Sequence, residues 1–254
     1  MATLLTKSLP PPPPAAAAGP PQTAAAGPPA AARPTTLLSI ALVSRGRPDA
    51  MLPLAVAMLN LQTKLAGTDI QSDLHIVDTL DEALAAAHAQ GCNLLAVDTN
   101  VGFDPEFVIQ ALASPHQVVS AVYPVPGTNW DRIATGATSG EPVNCRGNSY
   151  NAVPAPSATI AGGYVEVGAP LLGCVLVKAG VVADILQRHP QEARHFPAGI
   201  SCARETIFEG QRLRPHETFA RLWGKPIYAD VDHPATLTAP MSYAGSVGAR
   251  HFLR

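Results

Sequence analysis

The chain is poor in charge and in aromatic residues. Of its 254 residues, 14% are charged and 5% aromatic, and 17 basic against 19 acidic side chains leave a net charge of −2. With no basic excess to displace counterions from phosphates, nucleic-acid binding by bulk electrostatics is excluded as a function class. Long apolar runs are missing too: no stretch of about 18 apolar residues lacks a breaker or a charge, so the sequence predicts no membrane span. A secretory leader is not expected, because prolines rather than an apolar run follow Lys7, and the apolar Leu37–Val43 lies too far in. The four cysteines, Cys92, Cys145, Cys174 and Cys202, stand far apart, with no CxxC and no paired histidine spacing. That speaks against a zinc site and for reduced thiols packed as small hydrophobes, with the cytoplasm as the expected location.

Proline, by contrast, is abundant and uneven. Ten of the 26 prolines fall in the first 34 residues, and with eleven alanines they fill 21 of those positions. Such a segment has almost nothing to bury and cannot offset its own ordering entropy. The expectation is a disordered, PPII-like low-complexity tail over residues 1–35 and one folded domain over 36–254.

From Thr36 onward the pattern is orderly. Leu37–Val43 reads as a buried strand, broken by Ser44-Arg45-Gly46-Arg47-Pro48. Asp49 can cap a helix to about Ala66, closed by Gly67. Leu74–Val77 is a second strand, and Asp78 or Thr79 can cap a helix ending at Gly91. Asn93–Val97 is a third strand, running into Asp98-Thr99-Asn100. Asp104-Pro105-Glu106 opens another helix, with proline in its first turn and acids near its positive end. Val118–Val122 supplies a fourth strand. Strands alternating with helices predict an α/β fold, a parallel sheet with right-handed crossovers. The second half is less regular. Residues 125–163 read as a long loop, Tyr164–Val167 and Cys174–Val177 as strands, Ala179–Arg188 as a short helix, His216–Trp223 as a helix stopped by Gly224, and Ile227–Val231 as a late strand; from Ala239 the chain reads as loop.

In a doubly wound sheet, ligands bind outside the carboxyl ends of the strands. Two such ends carry polar groups here, Ser44-Arg45-Gly46-Arg47 and Asp98-Thr99-Asn100. A carboxylate placed there by a buried strand can hold a divalent cation whose shell a substrate diphosphate completes; equally, it can cap the loop before the next helix. Arg45 and Arg47 suit a diphosphate or a base. Trp130 offers a flat face for a sugar or base, or a lid over the core.

Asn93-Leu-Leu-Ala-Val-Asp-Thr-Asn-Val-Gly-Phe-Asp-Pro-Glu-Phe-Val, followed by Val118-Val-Ser-Ala-Val-Tyr-Pro, resembles the core of family-2-like glycosyltransferases of the GT-A fold, in a bacterial and phage subgroup. Ser44-Arg45-Gly46-Arg47-Pro48, Asn129-Trp130-Asp131-Arg132, Val167-Gly168 through Gly173-Cys-Val-Leu-Val, and Gly224-Lys-Pro-Ile-Tyr-Ala-Asp resemble further pieces of that family in the same order. The likeness runs over about residues 37–250. It implies a Rossmann-like, mixed but mainly parallel sheet flanked by helices. It also implies a protein that moves a sugar from a nucleotide-sugar donor to a glycan or other hydroxyl acceptor. Ser44, Arg45, Arg47, Asp98 and Trp130 would meet the donor.

Three chemical positions depart from the family pattern. Its Asp-x-Asp stands here as Asp98-Thr99-Asn100, so a Mn²⁺ or Mg²⁺ held by Asp98 and Asn100 would be held weakly, a neutral carbonyl replacing a carboxylate. Its Glu-Asp pair before a helix Phe stands as Pro215-His216, with Glu217 next. The base towards the acceptor would be His216, whose ring has an ordinary pKa of about 6.5, or Glu217 with a one-residue shift; a solvated helix-start histidine is the alternative. Its late metal-binding His stands as Tyr243. These departures keep a second function open, a catalytically degenerate GT-A scaffold that binds a nucleotide or sugar or serves structurally.

Overall fold

A computed structural model describes residues 35–44, 52–128, 131, 133, 147–195, 199–238 and 242–243. Residues 1–34 of the expected tail, and Arg45, Arg47 and Trp130, lie outside the described residues.

In chain order the elements are β1 (Thr36–Val43), α1 (Leu52–Leu65), β2 (Ile70–Val77), α2 (Leu80–Gln90), β3 (Asn93–Asp98), β4 (Val101–Gly102), α3 (Pro105–Ala113), β5 (Val118–Ala121), β6 (Pro124–Thr128), β7 (Asn148–Tyr150), β8 (Tyr164–Val167) and β9 (Cys174–Val177). They continue as α4 (Val181–Arg188), β10 (Arg194–His195), β11 (Gly199–Ile200), β12 (Thr206–Phe208), β13 (Gln211–Leu213), α5 (Pro215–Trp223), β14 (Ile227–Asp230), β15 (Thr236–Thr238) and β16 (Ser242–Tyr243). The helix ends follow the expected chemistry. Thr79, not Asp78, caps α2, its side chain accepting from Glu82 N, while the Glu82 carboxylate accepts from Asp78 N at 2.9 Å. Asp104 caps α3 with Pro105 in the first turn. Gly91 and Gly224 close α2 and α5 in the left-handed region.

Seven strands form the central sheet in the order β2-β1-β3-β9-β5-β14-β8. β1 pairs parallel with β2 and β3, and β14 pairs parallel with β5. β9 runs antiparallel to both β3 and β5, and β8 antiparallel to β14. The sheet is therefore mixed, with five of the seven strands pointing one way. Each face carries its own apolar core. α1 and α3 bury Leu54, Leu61, Phe107 and Val108 against Leu38, Ile40, Leu42, Leu95 and Val97. α2, α4 and α5 bury Leu84, Ile185, Phe219 and Leu222 against Ala41, Val43, Leu94, Ala96 and Val175 on the other face. The alternation of these residues along β1 and β3 is the period-2 signature of strands covered on both sides.

Three segments differ from the sequence reading. β2 starts at Ile70 rather than Leu74; it is an edge strand with one partner, so the polar Gln71-Ser72-Asp73 can extend it while staying solvated. Within the stretch read as a long loop, Pro124–Thr128 and Asn148–Tyr150 form a two-stranded ribbon. Beyond Ala239, Ser242–Tyr243 pairs with β15, which also pairs with β4 just past Asp98. The β12–β13 hairpin carries no alternation to betray it. Its turn is Glu209-Gly210, both at positive φ (49° and 79°), the backbone that a tight two-residue hairpin turn demands.

Candidate functional site

The chain passes from β1 through α1 to β2 on one side of β1, then returns through α2 to β3 on its other side. α1 and α2 accordingly lie on opposite faces, and a crevice opens at the carboxyl ends of β1 and β3, where Val43 and Asp98 stand side by side in register. A cleft of about 820 Å³ lies there. Across its floor, following the strand order, come Asp78 just after β2, Val43 at the end of β1, Asp98 at the end of β3, Leu171 and Leu172 just before β9, and Tyr123 just after β5. Ala203, Arg204, Glu205, Pro215 and His216 complete the lining from the later half of the chain. Asp98 and Asn100, and His216 more than 100 residues further along the chain, thus line one cleft.

Asp98 is set by backbone. Its N–H donates to Gly173 O at 2.8 Å, and a Cβ at Gly173 would lie 3.1 Å from its Oδ2 and collide with the Tyr123 hydroxyl. That hydroxyl donates to Leu171 O at 3.1 Å and accepts from Gly173 N at 3.1 Å, pinning the start of β9 beside Asp98. Burial, and then the charge of Asp98, pushes the Cys174 thiol far up. Asn151, buried in the ribbon that follows Tyr123, accepts from Tyr123 N at 2.9 Å and donates to Ala121 O at 3.0 Å and Leu171 O at 3.2 Å. No signal in the sequence marked Asn151; its role exists only once β5 and the segment before β9 are neighbours.

At the β2 end, the Ser44 hydroxyl is buried and donates to Asp78 Oδ1 at 2.7 Å, so Asp78 rather than Ser44 faces the cleft. Asp81, in the first turn of α2, accepts from Ala203 N at 2.6 Å and from Ser201 Oγ at 3.4 Å. These bonds and Arg204 favour the carboxylate, but burial outweighs them and raises its pKa. Asp81 ties the 201–203 segment, and with it Arg204, to the β2 end of the cleft.

His216 is the second residue of α5 and is 8% exposed, a cleft-lining ring rather than a solvated one. Glu217 turns the other way: its carboxylate accepts from Arg214 N at 2.7 Å and from the Arg214 guanidinium at 2.8 Å. The guanidinium first, then the backbone bond, draws the Glu217 pKa down to about 2. His233 is partnered: its Nδ1 sits 2.9 Å from Oδ2 of the buried Asp230 at the end of β14. The side chain of Tyr243 lies outside the described residues.

A resident divalent ion does not fit the donor set on the page. Asp98 supplies one carboxylate and Asn100 a neutral carbonyl, and among the described residues no three His, Cys, Asp or Glu side chains gather to hold a metal. Among the described residues, too, no helix is long and apolar enough to cross a membrane.

No protein-family model matches the chain, and no curated protein matches it. Among solved structures, the crystal structure of A197 from STIV is 15% identical, over 80% of this chain and 85% of that one, with a TM-score of 0.42. A structure from Bacillus anthracis named for glucose-1-phosphate thymidylyltransferase, in complex with a sucrose, is 12% identical over 59% of this chain and 74% of that one, with a TM-score of 0.33. These are likenesses of low identity, and the α/β fold with a mixed sheet flanked by helices is what the chain's own structure shows.

Proposed function

We propose that the cleft binds a nucleotide-sugar and that the chain transfers its sugar to an acceptor hydroxyl, on a GT-A-like domain beginning near residue 36. The observation that carries this reading is the convergence of Asp98, Asn100 and His216 on one cleft at the sheet's point of reversal. In the reaction, the acceptor oxygen attacks the anomeric carbon, the bond from that carbon to the diphosphate oxygen breaks, and the acceptor proton passes to His216. Glu217 is engaged by Arg214, which leaves the base role to His216.

The lining is acidic at its β2–β3 side, where Asp78, Asp81 and Asp98 lie, and Arg204 is the described residue there with a fixed positive charge. A diphosphate placed against those acids needs cations. Arg45 and Arg47 follow Ser44 directly in the chain and are the residues to supply them. No step is assigned to a metal. Asp98 orients the sugar or diphosphate through its backbone-fixed carboxylate. The Leu171, Leu172 and Tyr123 side of the floor offers the acceptor an apolar surface.

Calorimetric titration with UDP, GDP and UDP-glucose, each with and without Mn²⁺, tests the reading. Metal-independent binding of one nucleotide, lost in Arg45→Ala/Arg47→Ala, together with turnover lost in Asp98→Ala, is expected. Silence of the folded protein across the common nucleotides removes the proposal. The second reading, a scaffold that binds without catalysis, is favoured by Asn100 and the missing third metal ligand among the described residues. It predicts the same binding with no turnover.

A further inference from the structure

β2 forms one edge of the seven-stranded sheet, and over its eight residues it has a strand partner on one side only among the described residues. Half of its backbone N–H and C=O groups face β1, and the remainder face outward as a template for another strand. The register sets Leu74 beside Ile40 and Ile76 beside Leu42. Residues level with each other in a parallel ladder share a face, so Leu74 and Ile76 lie on the α1 side of the sheet. They are 45% and 64% exposed. α1 buries Leu54, Met58 and Leu61 but leaves Leu52, Val56 and Leu59 at 76%, 47% and 65% exposure. Between Leu52 and Thr63 there is no charged residue, and Lys64 beyond them pairs with Glu106 of α3. The first half of α1, Leu52–Leu59, is thus apolar all round, and an apolar outward side calls for cover.

We infer that this flank is a two-fold interface with a second copy of this chain, in which β2 pairs antiparallel with β2 of the other copy beneath the exposed side chains of α1. Three features select a second copy. An edge strand that pairs antiparallel with itself generates a closed dimer and removes both open edges at once, where a head-to-tail contact would propagate. A two-fold axis brings like against like, which a charged face resists; here the α1 side of the join is uncharged. On the opposite face, a pairing centred on Leu74 sets Asp73 of each copy beside His75 of the other. The five exposed residues together offer roughly 500 Å² of surface, well over half of the ~800 Å² each partner gives a standard interface, and the strand edge adds to it. A lipid surface would draw on flanking basic residues; of these Lys64 is engaged by Glu106, and the vesicle arm of the test below separates the two occupants.

Sedimentation velocity of the full chain from about 2 to 200 μM tests this, a range chosen to bracket micromolar association. A dimer is expected, weakened at least 100-fold in Ile76→Lys and in Leu59→Lys, both of which place charge on already exposed positions and leave the circular dichroism spectrum unchanged. Ile207→Lys, equally exposed but on the β12–β13 hairpin, leaves the dimer intact. A monomer at every concentration overturns the inference. So does a dimer that survives Ile76→Lys and Leu59→Lys, or a monomer whose exposed face instead binds neutral phosphatidylcholine vesicles. The variants lie outside the cleft, so nucleotide titration reads the proposed function separately.

Discussion

Gly173 is where the fold leaves no room beside the candidate site, and Gly173→Ala makes that quantitative. The new Cβ would overlap the Tyr123 hydroxyl at a separation real Cβ atoms do not show, with Tyr123 Cζ and Asp98 Oδ2 each at 3.1 Å. Tyr123 is 4% exposed and its hydroxyl holds both Leu171 O and Gly173 N, so it cannot retreat without breaking two buried hydrogen bonds. Overpacking costs about 1–3 kcal/mol and each of the two lost hydrogen bonds about 1 kcal/mol, giving about 3–5 kcal/mol for Gly173→Ala. Tyr123→Phe alone costs about 1–2 kcal/mol, because the buried Gly173 N–H loses its partner, while Leu171 O keeps the Asn151 amide. The double variant removes the colliding oxygen, so its cost falls short of the sum by about 1–2 kcal/mol. Urea unfolding at constant m-value measures all three. Additivity within about 0.3 kcal/mol would refute the steric account and with it the claim that the glycine exists to seat β9 beside Asp98.

Further expectations concern the same rim. Asn151→Ala leaves the buried Tyr123 N–H without its acceptor and takes one donor each from Ala121 O and Leu171 O, which keep Ser120 Oγ and the Tyr123 hydroxyl, and costs about 1–3 kcal/mol in urea unfolding; a loss below about 0.5 kcal/mol would show the network to be dispensable. Asp81 has a pKa raised by burial, so the folded state binds its proton more tightly than the unfolded chain does. Its contribution is most favourable below the ordinary value of 3.8 and is lost as pH rises through the folded value. Asp81→Asn keeps an acceptor for Ala203 N and should flatten the stability–pH curve where the pH rises above the ordinary value of 3.8; an unchanged slope in that region would contradict the burial account. Burial pushes the Cys202 thiol up to about 12, so in native protein at pH 8 it should resist a disulfide reagent and react only after unfolding, as read by peptide mapping.

The first half of the molecule was legible because its strands are covered on both faces and its helices are punctuated. Leu37–Val43 and Asn93–Val97 read as apolar runs, and Asp104-Pro105 and Gly91 mark helix ends by backbone chemistry that does not depend on context. Cys174–Val177 and Tyr164–Val167 were also found as strands, but nothing in an apolar run of four residues states its direction or its neighbours. Asp98 and Asn100 were placed at a strand end, and the structure sets them in the cleft with His216. Between His216 and Glu217 the sequence offers no ground for choice; only the fold shows Glu217 held by Arg214 while the adjacent His216 is buried and lines the cleft. Asn151, Tyr123 and Asp81 carry no local signature; each acts through backbone groups that are distant in sequence, up to the 122 residues from Asp81 to Ala203.

The placement of β9 has a consequence for how the molecule is made. β3 ends at Asp98 and β5 begins at Val118, yet the two never touch as neighbours: the strand between them is completed only at Val177. During synthesis, β2, β1 and β3 can pair as soon as they emerge, because each joins a strand already present. β5 must then wait about 50 residues, a few seconds at ribosomal rates, with neither edge paired. A nascent chain arrested before residue 177 therefore presents the open edge of β3 and both edges of β5 in addition to the outer edge of β2, and is the species most exposed to aggregation. The rim that carries Asp98 is assembled in the same step that joins β3 to β5.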